Sequence, residues 1–130
     1  IKQCVACLKA FGIDREDLRQ SMRVINNVVE EVKKGRNYVI FAEGTRSRMG
    51  NKLLEFKGGS FKAAYKAKCP IVPVALIDSF KPLDTKDIKP VTVQVHFLPV
   101  IPYEEYKDMK TVDIAAEVKR RIEETIEKNI

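Results

Sequence analysis

The sequence predicts an α/β fold, a mixed sheet flanked by helices, and three patterns carry that expectation. Helix-period and strand-period segments alternate along the chain. Two short, continuous apolar runs, 37–42 and 71–77, have the composition of strands buried on both faces. A third run, 91–97, alternates strictly between apolar and polar residues, as a strand with one buried face does. No internal repeat, low-complexity tract or linker interrupts the 130 residues, so a single domain over 1–130 is expected.

Residues 1–11 read as a short helix, or the end of one, closed by Gly12, and 12–15 as a connector or short strand. From Glu16 to Lys34, Leu18, Met22, Ile25, Val28, Val29 and Val32 recur at three- and four-residue steps, the spacing of an amphipathic helix. Asp14, Glu16 and Asp17 suit its positive N-terminal end, and Lys33, Lys34 and then Gly35 suit its C-terminal end. After the 37–42 strand comes a polar, glycine-bearing loop, 43–52. A helix is predicted over 58–68 with Phe61, Ala64 and Tyr65 inward. Pro73 makes 71–77 an edge or bulged strand, and 78–90 is a loop. In 91–97 the face carrying Val91, Val93, Val95 and Phe97 is expected inside, with Thr92, Gln94 and His96 outside. A closing helix follows over 111–129, with Ile114, Val118, Ile122 and Ile126 on its inner face.

The net charge of +6 is concentrated. Between Gly44 and Pro70 stand Arg46, Arg48, Lys52, Lys57, Lys62, Lys66 and Lys68 against one acid, Glu55. Such a field suits an anion, although Lys62, Lys66 and Lys68 read as the solvated face of a helix. Nucleic acid is excluded as a partner, because the basic stretch lacks interleaved aromatics or a recognition motif. Three cysteines make no disulfide framework. Cys4 and Cys7 have no second pair or nearby histidines for zinc and read as semi-buried helix residues, in keeping with a reducing, cytoplasmic compartment. The longest apolar stretch, 71–77, is far shorter than the roughly twenty residues a membrane-spanning helix needs. No metal and no cofactor are implied. The chain opens on Ile1 without a signal-peptide pattern and is expected to be a piece of a longer protein.

The chemistry is concentrated where the 37–42 strand ends. Four successive positions deliver a carboxylate, a glycine, a hydroxyl and a guanidinium: Glu43, Gly44, Thr45 and Arg46. Ligands of open α/β sheets sit beyond the carboxyl ends of strands. Gly44 permits close backbone approach, Thr45 can donate a hydrogen bond, and the planar fork of Arg46 matches phosphate. Lys57, followed by Gly58 and Gly59 at a predicted helix start, adds a cation near free backbone N–H groups. A nucleotide P-loop is excluded, because five residues separate Gly44 from Gly50 and Asn51 stands where the lysine belongs.

The stretch Phe41-Ala42-Glu43-Gly44-Thr45-Arg46-Ser47 resembles the Phe-Pro-Glu-Gly-Thr-Arg-Ser motif of the 1-acylglycerol-3-phosphate acyltransferase family, with Ala42 replacing proline. Ile13-Asp14-Arg15 resembles that family's second block, Phe56-Lys57-Gly58-Gly59-Ser60-Phe61 its Phe-Lys-x-Gly segment, and Ile71-Val72-Pro73-Val74-Ala75-Leu76 its fourth block. The resemblance implies transfer of a fatty acyl group from an acyl thioester to lysophosphatidic acid, giving phosphatidic acid. It also implies an acceptor-phosphate pocket formed by Arg15, Glu43, Gly44, Thr45, Arg46, Lys57 and Gly58, with Glu43 an auxiliary that orients the acceptor. Acyl-coenzyme A or acyl carrier protein is the implied donor, a lysophospholipid the acceptor. The implied place is the cytoplasmic membrane face, reached peripherally or through an anchor outside this chain.

The family's catalytic element is a His-x4-Asp block upstream of the second block, in which the imidazole takes the proton of the attacking hydroxyl. The only histidine here, His96, lies far downstream, and Ile101 stands where the aspartate would fall. The chain is therefore expected to be the C-terminal portion of such an enzyme, inactive alone. A non-catalytic module that binds anionic lipid or another phosphate through the same loop is the alternative.

Overall fold

A computed structural model describes residues 2–13, 17–84 and 89–130. Helix α1 spans Lys2–Cys7. It stops before Gly12 because the chain turns at Lys9, whose φ is 49°, and the N–H groups of Lys9 and Ala10 return to the carbonyls of Ala6 and Val5. Helix α2, Leu18–Lys33, begins at Asp17, whose Oδ1 accepts the N–H groups of Arg19 and Gln20 at 2.9 and 3.0 Å. It ends where Gly35, at φ 89°, donates to the Val32 carbonyl. Its buried residues are Val24, Val28 and Val29, while Leu18 is 81% exposed. The inward stripe thus starts later than the apolar spacing predicts.

The segment 37–42 is not a strand. Val39, Ile40 and Phe41 are exposed, and only Tyr38 and Ala42 pack against core residues. An apolar run is buried on both faces only if neighbours cover both, and no described strand pairs with this one. A single 3-10 turn, Gly58–Phe61, opens into α3, Lys62–Ala67, which stops at Lys68 in the left-handed region. Phe61 and Ala63 are buried and Ala64 is half-buried, while Tyr65, 36% exposed, sets its ring beside Tyr103 and Tyr106 and donates to the Lys107 carbonyl.

Strand β1 (Val74–Ile77), helix α4 (Lys81–Asp84), strand β2 (Gln94–Phe97), helix α5 (Tyr103–Tyr106) and helix α6 (Thr111–Asn129) complete the chain. The expected mixed sheet is, among the described residues, a small antiparallel pair, with Val74 opposite Phe97, Ala75 opposite His96, Leu76 opposite Val95 and Ile77 opposite Gln94. The pairing runs on through Leu98 N–H to the Pro73 carbonyl at 3.0 Å and through a bridge between Ile71 and Ile101. Pro73 thus accepts without having to donate, and both strands are edges.

Only one face of this pair is covered. Ala75 and Ile77 pack with Ile114, Ala115, Val118, Ile122 and Ile126 of α6, the inner face expected for that helix. The two-residue period then forces Gln94 and His96 to the same side. The apolar residues of β2 therefore point outward, reversing the sequence expectation: Val95 is 52% and Phe97 75% exposed. Polar atoms on the covered face find partners, Gln94 Oε1 with His96 Nε2 at 3.0 Å and Gln94 Nε2 with the Asn129 carbonyl.

A second, smaller cluster joins Val24, Val28 and Val29 of α2 to Ala63 of α3. Phe61 belongs to the α6 cluster and Ala63 to this one, so the 58–67 segment links the two. Tyr106, 1% exposed, anchors the end of that segment. Its hydroxyl sits against the carbonyls of Ala64 and Cys69, and burial pushes the phenol well above its ordinary range.

Candidate functional site

The loop from Glu43 to Leu54 is folded on itself by its own side chains. The chain turns at Phe41, whose carbonyl accepts the Gly44 N–H at 3.0 Å, and Gly44 adopts φ 68°, a region open to glycine. Glu43 Oε2 reaches across the loop to accept the Leu54 N–H at 2.9 Å. Ser47 Oγ donates to the Lys52 carbonyl at 2.7 Å and accepts the Met49 N–H. The Lys57 N–H donates to the Ala42 carbonyl at 2.8 Å, and the Lys57 side chain lies 3.8 Å from where a Cβ on Gly44 would stand.

This arrangement brings Glu43, Gly44 and Lys57 together and leaves Thr45 and Arg46 exposed on the same loop. Arg46, Arg48, Lys52 and Lys57 take part in no ion pair among the described residues. Glu55, the only acid in the basic stretch, is bound instead to Lys119 of α6. Among the described residues the basic side chains of the loop are thus left outside ion pairs, which suits an anionic ligand. Lys66 donates to Asn26 Oδ1 at 3.1 Å, tying α3 to α2 rather than facing the loop.

Two of the expected pocket residues make contacts within the fold. The Glu43 carboxylate braces the loop, with one oxygen engaged by backbone. Gly58 has a packing reason to be glycine: a Cβ there would meet both the side chain and the backbone nitrogen of Val112 at 3.2 Å. Arg15 lies outside the described residues. His96 is engaged with Gln94 on β2, opposite Ala75. Cys7 is exposed rather than semi-buried, and the Cys4 side chain lies outside the described residues.

Sequence reasoning missed Asn51 and Asp78. Asn51 Nδ2 donates to Asp78 Oδ1 at 3.0 Å, and the Asp78 N–H donates back to Asn51 Oδ1 at 2.8 Å. Partners 27 positions apart leave no periodic trace in a sequence. Among the described residues no cluster of His, Cys, Asp or Glu is arranged to hold a metal ion, and no helix is long and apolar enough to cross a membrane.

Comparison with known proteins agrees with the motif. The acyltransferase family model matches residues 1–77. The 1-acyl-sn-glycerol-3-phosphate acyltransferases of Salmonella typhimurium and Escherichia coli are each 35% identical over 115 residues, 88% of this chain and 46% of theirs. The Helicobacter pylori enzyme of the same name is 38% identical over 77 residues, 59% of this chain and 32% of its own. The chain thus spans about half the length of the first two, and less of the third. No solved structure matches it. With more than half its length under the family model and one motif loop at the centre of the match, the chain belongs to the acyltransferase family.

Proposed function

We propose that this chain is the acceptor-binding part of an enzyme that moves a fatty acyl group from an acyl thioester to lysophosphatidic acid, giving phosphatidic acid. One observation carries the reading: Arg46, on the Glu43–Arg46 loop, and Lys57, whose side chain lies beside the left-handed Gly44, make no ion pair among the described residues. The relatives named above are called after the same acceptor.

On this reading the acceptor phosphate sits over the loop, held by the Arg46 fork and the Lys57 ammonium, with Thr45 donating a further hydrogen bond. Glu43 keeps the loop in shape through Leu54. Arg15 and Gly44 complete the pocket, while Gly58, expected there from the sequence, serves the packing against Val112. The free acceptor hydroxyl attacks the thioester carbon, its proton passes to a base, and the thiolate leaves. We assign that base to the His-x4-Asp pair that the family resemblance implies; His96, bonded to Gln94 and followed by Ile101 where the aspartate would fall, does not form one. The donor is acyl-coenzyme A or acyl carrier protein, and the work is done at the cytoplasmic membrane face.

Acyl transfer to lysophosphatidic acid by the full-length gene product tests this. Charge-assisted hydrogen bonds to phosphate contribute roughly 1.5–3 kcal/mol, so Arg46→Ala should lower kcat/KM by about one to two orders of magnitude. The present chain alone should transfer nothing. Phosphate-ester binding that persists in a full-length protein without any transfer would favour the non-catalytic module.

A further inference from the structure

The Asn51–Asp78 pair belongs to no catalytic or ligand-binding group identified above, yet it joins the two segments that define the site. Asn51 lies in the loop that carries Thr45 and Arg46, and Asp78 is the first residue past β1. Both side chains are half-buried, and the contact uses two antiparallel hydrogen bonds at 2.8 and 3.0 Å. Asp78 is held in the left-handed region, φ 62°, where a residue other than glycine, asparagine or aspartate is strained. Its second oxygen, Oδ2, accepts Lys81 Nζ at 2.7 Å from α4. Beside this contact, Gly50 at φ 64° brings the backbone within 3.6 Å of the Phe80 ring, measured from where a Cβ would stand. The far end of the loop is therefore fixed to the end of β1, whose Ala75 and Ile77 are among the most buried residues of the chain.

We propose that Asn51 and Asp78 are positioning residues: their reciprocal hydrogen bonds clasp the 44–52 loop to the end of β1 and preset Thr45 and Arg46 for a phosphate monoester. This rests on the phosphate reading of the loop. Without the clasp the side-chain bonds left within the loop are Glu43–Leu54 and those of Ser47. Arg46 then samples more orientations, and each binding event must first order it. Lys81 and Asn51 both hold the Asp78 carboxyl below its usual range, so it accepts as a carboxylate at neutral pH.

The test titrates this chain with glycerol 3-phosphate and follows amide hydrogen exchange over residues 44–54. Asn51→Ala and Asp78→Ala should each weaken binding roughly tenfold, the scale of one or two buried hydrogen bonds. The double variant should bind about as the singles do, because either change opens the same clasp. The exchanged pair, Asn51→Asp with Asp78→Asn, keeps both hydrogen bonds, the carboxylate at 51 accepting from the backbone N–H and the side-chain amide at 78, and should recover most of the affinity and the slow exchange. A general loss of structure would not be repaired by that exchange. Single variants that bind as the wild type does, losses that add, or an exchanged pair no better than the singles would each overturn the clasp. Arg46→Ala, run beside them, separates the two readings. If it binds as the wild type does, the phosphate assignment has failed and hydrogen exchange alone decides the clasp. Faster exchange in both singles, restored in the exchanged pair, supports it; unchanged exchange overturns it.

Discussion

At Gly58 two roles compete, ligand approach and close packing, and distances decide between them. A Cβ there would press on Val112, including its backbone nitrogen, which cannot swing aside as a side-chain tip can. Overpacking of this kind costs roughly 1–3 kcal/mol, against a gain of about 0.4–1 kcal/mol from a stiffer unfolded chain. Gly58→Ala should therefore lower stability by about 1 kcal/mol in a denaturant titration while leaving affinity for glycerol 3-phosphate unchanged. Weaker ligand binding at full stability would return Gly58 to the pocket. Gly44 differs, because its positive φ and its place beside Lys57 bear on the loop itself. The Glu43-Gly44-Thr45-Arg46 loop was legible in the sequence because a motif is contiguous. The bracing of Glu43 onto Leu54 and the Asn51–Asp78 clasp were not, since both depend on contacts made only after folding.

Among the elements, α6 follows its sequence pattern closely. A four-residue apolar spacing needs only one neighbour to cover it, and β1 with the 3-10 turn provides that cover. Its outer face is bonded through Glu117, which receives Arg120 Nε at 2.9 Å and Arg121 Nε at 2.7 Å. Those two guanidinium groups hold the Glu117 carboxyl at about 2, against an ordinary 4.5. A folded value below the unfolded one adds stability that is full above about 4.5 and lost as pH falls towards 2. Melting temperature should therefore drop across that window more in the wild type than in Glu117→Gln, with the two converging at the acid end. The difference should be small and shrink in salt, because the groups are partly solvated. Equal slopes would remove Glu117 as a contributor. The strands were less legible. Continuous apolar composition at 37–42 and alternation at 91–97 state which residues could be covered, while the neighbour that covers them decides which face is.

On the scale of the whole molecule, surface dominates. The chain exposes 9733 Å², against roughly 7000 Å² for a compact monomer of this mass. Leu76, Val95 and Phe97 form an open apolar face on a sheet that, among the described residues, has two strands, and Val39 and Phe41 add to the exposed apolar surface. Surfaces of that kind associate. Replacing Val95 and Phe97 with threonine should reduce concentration-dependent association in sedimentation and lower the binding of a hydrophobic dye, with the α6 core intact. Association that persists unchanged would place the sticky surface elsewhere. The Glu43–Arg46 loop lies apart from this face in sequence, so it can be examined in the same variant.

The central claim, that the Glu43–Arg46 loop is a phosphate pocket, is tested most directly by titrating glycerol 3-phosphate into the wild-type chain and into Arg46→Ala. The account predicts saturable binding that weakens by about one to two orders of magnitude in the variant, with the fold unchanged. Equal binding by the two proteins, or no binding by the wild type, would contradict it.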